Sequence, residues 1–128
     1  MKMDIDCIRS VLLELEELPL DIYTTEDLTK SIKKYGIKSV EYSIIKLEEA
    51  GYIRAGIART LSGDVEVYCI SDITFSGHQF LEKIRDNQVW QKTKNVAGSI
   101  GTRALDLIAQ IATGVLTELV NKHLTGQI

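Results

Sequence analysis

Leu47-Glu48-Glu49-Ala50-Gly51-Tyr52-Ile53 is the stretch where the chain changes period. Before it, Val40, Ile44, Leu47 and Gly51 recur at steps of three and four, with Ile45 on the flank. That spacing lines one face of an amphipathic helix. Ser39 is placed to cap this helix, and Gly51 to end it. After it, the runs Tyr52 to Thr60 and Val65 to Ile70 are rich in β-branched and aromatic residues, with Ser62-Gly63-Asp64 between them. Two such runs around a polar, glycine-containing break predict a β-hairpin with about six to eight residues per strand. The helix therefore passes directly into the first strand of the hairpin.

Upstream, Ile5, Ile8, Leu12, Leu15 and Leu18 form one helical stripe, and Pro19 closes it. Leu20 to Tyr23 alternate apolar and polar residues over a run short enough for a small strand. Thr24 and Thr25 offer a cap for a second short helix, and Glu26 and Asp27 suit its positive end. That helix runs to Tyr35 and stops at Gly36. Downstream of the hairpin, Thr74 caps a fourth helix whose apolar face is Phe80, Leu81 and Ile84. Val89 and Trp90 fall off that face, so this helix bends, ends or meets another surface there. Asn95 to Gly101 holds two glycines and reads as a linker. A final helix is expected from about Thr102 to Leu124. The order helix, short strand, helix, helix, hairpin, helix is that of a winged helix-turn-helix, an α+β and mainly helical fold, here with a long C-terminal helix. The expected organisation is a winged-helix domain at 1–94, a linker at 95–101 and an oligomerisation helix at 102–128.

The 128 residues are 45 % hydrophobic and 26 % charged, with net charge −3. This is the composition of a soluble globular chain large enough to bury its own core, and it excludes extensive disorder. A pI near 5.4 argues against a strongly basic nucleic-acid binder. Cys7 and Cys69 are too few for a disulfide scaffold. The opening MKMDIDCIRS lacks an unbroken apolar core and is not expected to be a secretory leader. A cytoplasmic protein is the expectation.

The charge is segregated. Residues 1–29 carry net −6 and residues 61–82 net −4, whereas residues 30–60 and 83–103 each carry net +4. The first basic segment covers the predicted helix-turn-helix and first wing strand. Lys30, Lys33, Lys34 and Lys38 are placed to reach phosphates from the helices, and Arg54 or Arg59 from the wing. Ser39, Tyr42, Lys46 and Glu49 form the outward face of the third helix, the face that reads base edges when such a helix enters the major groove. Glu41, Glu48 and Glu49 oppose that use. Arg54 and Arg59, five apart, point to opposite faces of a regular strand. The competing interpretation is a solvated lysine face.

No constellation signals chemistry. His78 and His123 stand far apart, and no cluster has metal-ligand spacing. Cys7 and Cys69 read as reduced thiols in or near the core. Glu14, Glu16, Glu17, Asp21, Glu26 and Asp27 read as a solvated acidic face. There is no nucleotide-binding glycine motif. The expectation is a non-enzyme without metal or cofactor. Trp90 is expected to anchor the final helix, with a nucleic-acid or partner contact as the alternative.

In the final helix the apolar residues sweep an arc of roughly 220° at 100° per residue, more than one packing face needs. Leu105, Ile108, Ala112, Val115 and Leu119 step by three and four like a two-helix seam, which predicts a homodimer through this helix; the rival is that Leu13 and neighbouring surface wrap the excess within one chain. Asp106, Gln110, Thr113, Thr117 and Asn121 fill the opposite side and rule against a membrane span.

Thr74-Phe75-Ser76-Gly77-His78-Gln79-Phe80-Leu81, then Ile84-Arg85-Asp86 and Val89-Trp90-Gln91-Lys92-Thr93-Lys94, resemble domain-of-unknown-function family 2513, as does the opening Met1 to Arg9. The resemblance spans nearly the whole chain. It implies a winged-helix protein of phages, prophages and bacteria, located in the host cytoplasm if phage-encoded, and it carries over no catalytic or binding residue. Thr102-Arg103-Ala104-Leu105 departs from it, since a serine is expected before the leucine. Two functions compete: a phage or mobile-element regulator that binds double-stranded DNA, and an interaction module that docks a host or phage protein.

Overall fold

The computed structural model describes residues 1–126. Two compact units divide the chain, Met1–Leu81 and Glu82–Ile128.

The first unit holds α1 (Ile5–Glu17), a 3-10 turn (Thr25–Asp27), α2 (Thr29–Tyr35), α3 (Ile37–Glu49), β1 (Ile53–Arg59) and β2 (Val65–Ile73), and α4 (Phe75–Ile84) begins in it. This is a winged helix. α1 starts because the Asp4 carboxylate accepts the Asp6 and Cys7 N–H groups. Its buried face carries Cys7, Ile8, Val11, Leu12 and Leu15. Val40, Ile44 and Leu47 of α3 are fully buried in the same core, as the helical spacing predicts. β1 and β2 pair antiparallel, with register shifts after Arg54 and after Gly56. The short strand expected at 20–23 is a single bridge, in which Tyr23 exchanges both backbone hydrogen bonds with Ile70.

Three local outcomes differ from expectation. α3 starts at Ile37 rather than behind a Ser39 cap. Gly36, at φ 87° and ψ 154°, reverses the chain within one residue, so the turn between α2 and α3 needs no further length. That backbone region belongs to glycine almost alone. Glu14 is not on a solvated face. It is buried, and its two carboxylate oxygens accept the Lys30 and Ser31 N–H groups at 3.0 and 2.8 Å. α2 has no side-chain cap from its own flank, and α1 supplies one. The hairpin outruns its predicted end, since β2 continues to Ile73.

Thr74 caps α4 as expected. Its Oγ1 accepts the Gly77 N–H at 3.0 Å and donates to the Gly51 carbonyl at 2.6 Å. The start of α4 is thereby tied to the glycine that ends α3. Tyr52 and Phe80 stack at 4.8 Å beside this junction.

The second unit holds α5 (Asn87–Ile100) and the long C-terminal helix α6 (Leu105–Leu124). Asp86 caps α5 by accepting the Val89 N–H at 2.9 Å, which is why Val89 and Trp90 leave the α4 stripe: a new helix begins there. Residues 95–100, expected as linker, are the last turns of α5. Ala97 is packed at 1 % exposure, and a Cβ at Gly98 would meet nothing within 4 Å, so Gly98 does not break the helix, which ends at Gly101. Ala104, at the cap of α6, makes no side-chain bond, in keeping with the departure noted at that position.

α5 and α6 are antiparallel, joined by a short connection and bridged by Lys92 and Glu118 at 3.4 Å. Ile108, Ala112 and Val115 are buried within one chain, while Leu105 and Leu119 are half-buried. The seam read for a second copy is therefore largely covered by the chain itself, because α5 supplies the facing helix that a linker would not. Trp90 is buried at 3 % exposure, with the Lys94 ammonium 5.9 Å from its ring centroid. Among the described residues no helix is long and apolar enough to cross a membrane.

Candidate nucleic-acid interface

α2 and α3 are set by their glycine turn and the α1 core, and the hairpin follows α3 without a loop. Lys33, Lys34, Lys38 and Ser39 are exposed around the α2–α3 turn. Lys34 lies 5.5 Å over the Tyr35 ring. Lys33, Lys38 and Arg59 form no ion pair among the described residues. Arg59 is exposed at the end of β1, where the wing loop begins.

A cleft of about 680 Å³ lies between α3 and the wing loop. It brings together Lys38, Tyr42, Lys46 and Arg59 of the predicted set. Lys33, Lys34, Ser39 and Arg54 stand outside it. Arg54 is committed across the hairpin to Asp72 at 3.3 Å. The register shifts in the hairpin remove the strict alternation on which opposite faces for Arg54 and Arg59 depended, and both side chains are exposed.

The outward face of α3 is largely occupied with itself. The Lys46 ammonium lies 2.8 Å from the Glu49 carboxylate and 5.2 Å from the Tyr42 ring centroid. The hydrogen bond that Lys46 donates to Glu49 is the main reason the Lys46 pKa is raised, against a smaller desolvation effect. Glu41, Glu49, Asp64 and Glu66 line the same cleft, four carboxylates against three cations. Sequence reading recognised Glu41 and Glu49 as adverse but missed Asp64 and Glu66. Their position two residues apart at the start of β2 was the available signal, since a hairpin returns that strand beside the cationic one.

The two thiols lie in and beside the core. Cys7 is fully buried, and burial is the main cause that raises its thiol pKa, partly offset by a hydrogen bond with Ser43. Cys69 is half-buried. His78 is exposed on α4. Among the described residues no three metal-binding side chains gather.

The fold places the chain among winged-helix proteins. It belongs to the family described as "Hypothetical protein (DUF2513)", whose model matches residues 2–103. A protein of Haemophilus influenzae (strain Rd), described as "Uncharacterized protein", is 30 % identical over 122 residues, which cover 94 % of this chain and 99 % of that one. Among solved structures, a "putative transcriptional regulator" of Thermoplasma acidophilum is similar at 20 % identity and a TM-score of 0.44, covering 77 % of this chain and 96 % of that one.

Proposed function

We propose that the first unit is a non-enzymatic DNA-binding domain of a regulator, acting in the cytoplasm of the cell that makes it. The observation that carries this reading is the group of exposed, unpaired or ring-stacked cations around the α2–α3 turn, Lys33, Lys34 and Lys38, with Arg59 in the wing. These side chains contact phosphates in the proposed complex. Tyr42 and Lys46 approach base edges, and the Lys46–Glu49 pair must open for Lys46 to do so. Phosphate contacts supply affinity and salt dependence, while base edges supply preference.

A mobility-shift titration against genomic fragments at two salt concentrations tests it. Removing Lys33 and Lys34 together is expected to weaken binding to all sequences alike and to flatten the salt slope by about 2, near one per lost phosphate contact. Changing Tyr42 is expected to alter sequence preference instead. Affinity indifferent to both changes overturns the reading.

The carboxylates of the α3–wing cleft favour a second reading, a module that docks a host or phage protein. In either role we propose that two copies pair through α6. Leu116, Val120 and Leu124 lie one turn apart along that helix, and Val120 and Leu124 remain exposed in one chain.

A further inference from the structure

The DNA reading leaves one carboxylate of its own surface unexplained. Four carboxylates line the α3–wing cleft, Glu41, Glu49, Asp64 and Glu66. Glu49 is held by the Lys46 ammonium at 2.8 Å, and Asp64 accepts the Ser62 hydroxyl at 3.2 Å. Glu66 is exposed on β2, open to solvent. Glu41 has none of these answers. It is half-buried on α3 beside Tyr42, and it makes no hydrogen bond or ion pair among the described residues. Lys38, three residues before it, is also unpaired among them, so the ion pair that this helical spacing allows is not made. A carboxylate is an acceptor only, and one that is partly desolvated without a donor costs stability. Glu41 is the fifth residue of α3, on the part of such a helix that meets base edges.

We propose, on the basis of the DNA reading, that Glu41 selects cytosine, its carboxylate accepting a hydrogen bond from the N4 amino group in the major groove. The chemistry of the base edges makes the choice. Cytosine presents a donor there, guanine only acceptors, and thymine an acceptor and a methyl group. Adenine sets its N7 acceptor beside its N6 donor, where a carboxylate is repelled and an amide fits. The negative charge also opposes phosphates, so it lowers affinity for every duplex, and the bond to cytosine offsets that loss at one base only. Specificity is a difference of affinities, and a repulsive group widens it as surely as an attractive one. The carboxylate that counts against non-specific binding thus becomes the feature that favours a particular site.

The test uses the full chain and a pool of double-stranded DNA with a randomised central stretch, selected by mobility shift and sequenced. The wild type is expected to enrich sites with cytosine at one position, by about tenfold over the other bases, as for one good base-edge contact. Glu41→Gln is expected to move that position to adenine and leave the others as they were. Glu41→Ala is expected to retain DNA at least as well as the wild type while losing the preference at that position alone. Glutamine and alanine are both good helix formers, so circular dichroism should show the helices intact. A wild type that binds but enriches no cytosine position overturns the proposal and leaves the DNA reading standing. An unchanged base preference in either variant does the same, and makes the carboxylate a repulsive group only. A wild type that retains no duplex from the pool overturns both.

Discussion

Gly77 has no room for a methyl group. A Cβ there would meet the Tyr52 carbonyl oxygen at 2.0 Å and Ile73 Cγ2 at 2.8 Å. The nearest obstacle is backbone, fixed by the hydrogen bond from the Thr74 N–H to that same carbonyl at 3.0 Å. Gly77→Ala should therefore destabilise the fold by about 3 kcal/mol, the upper range for forced overpacking. Urea denaturation measures it, and a loss below about 1 kcal/mol would show that α4 can back away. Gly36 is required for a different reason. A Cβ would touch nothing within 4 Å, but its backbone sits where other residues are strained. Gly36→Ala should cost about 1–3 kcal/mol. The contrast between the two is informative: at Gly77 the neighbours exclude the side chain, while at Gly36 the chain's own geometry does.

At the scale of elements, the second unit turns on what α5 buries. Trp90→Ala should cost about 3–5 kcal/mol, as large core truncations do, and a red-shifted tryptophan emission in the intact protein would contradict its burial. Thr93, fully buried on α5, has a hydroxyl without a hydrogen-bond partner. Thr93→Val removes that unmatched group at nearly constant shape and is expected to leave stability unchanged or raise it by up to about 1 kcal/mol in thermal unfolding. The periodic apolar stripes of α1, α3 and α4 and the Gly51 junction were legible because each rests on local spacing. α5 was not, because Gly98 lies within it and Gly101 closes it, and its core residues Val89, Trp90, Thr93 and Ala97 include a threonine and an alanine, which do not read as a hydrophobic face. Missing α5 had a further effect: the α6 stripe of Ile108, Ala112 and Val115 was assigned to a second chain when a neighbour in the same chain covers it. Of the candidate interface, the cations were legible and the clustering was not. A hydrophobic pattern fixes which residues share a strand face, but the carboxylates Asp64 and Glu66 meet α3 only through the hairpin's return.

For the molecule as a whole, the assembly state is the first property to measure. Pairing through the remaining α6 stripe predicts a dimer by light scattering at high micromolar concentration and a monomer for Val120→Asp. Val120 is 54 % exposed, so this change should leave the monomer folded. A wild-type monomer would defeat the pairing. The balance of charge in the α3–wing cleft sets a second expectation. With cations and carboxylates interleaved there, long-range steering of DNA is weak, and the association rate should stay near the unsteered range of about 10⁵–10⁶ M⁻¹s⁻¹ at low salt.

The hydrogen bonds that α2 donates to Glu14 have an unexpected sign in this setting. A helix of seven residues does not hold itself together in water, so the order of α2 is lent to it by a carboxylate on another helix. Glu14→Gln would remove a negative charge from a protein proposed to bind a polyanion, and electrostatics alone predicts tighter binding. The amide protons of α2 should instead exchange faster while those of the hairpin stay protected, and Lys33 and Lys34 would lose their fixed spacing. DNA affinity is then expected to fall although no phosphate contact has been touched. The acidic α1 and the basic α2, opposite in charge and adjacent in sequence, would be inherited as one unit, with selection on the second exerted through the first.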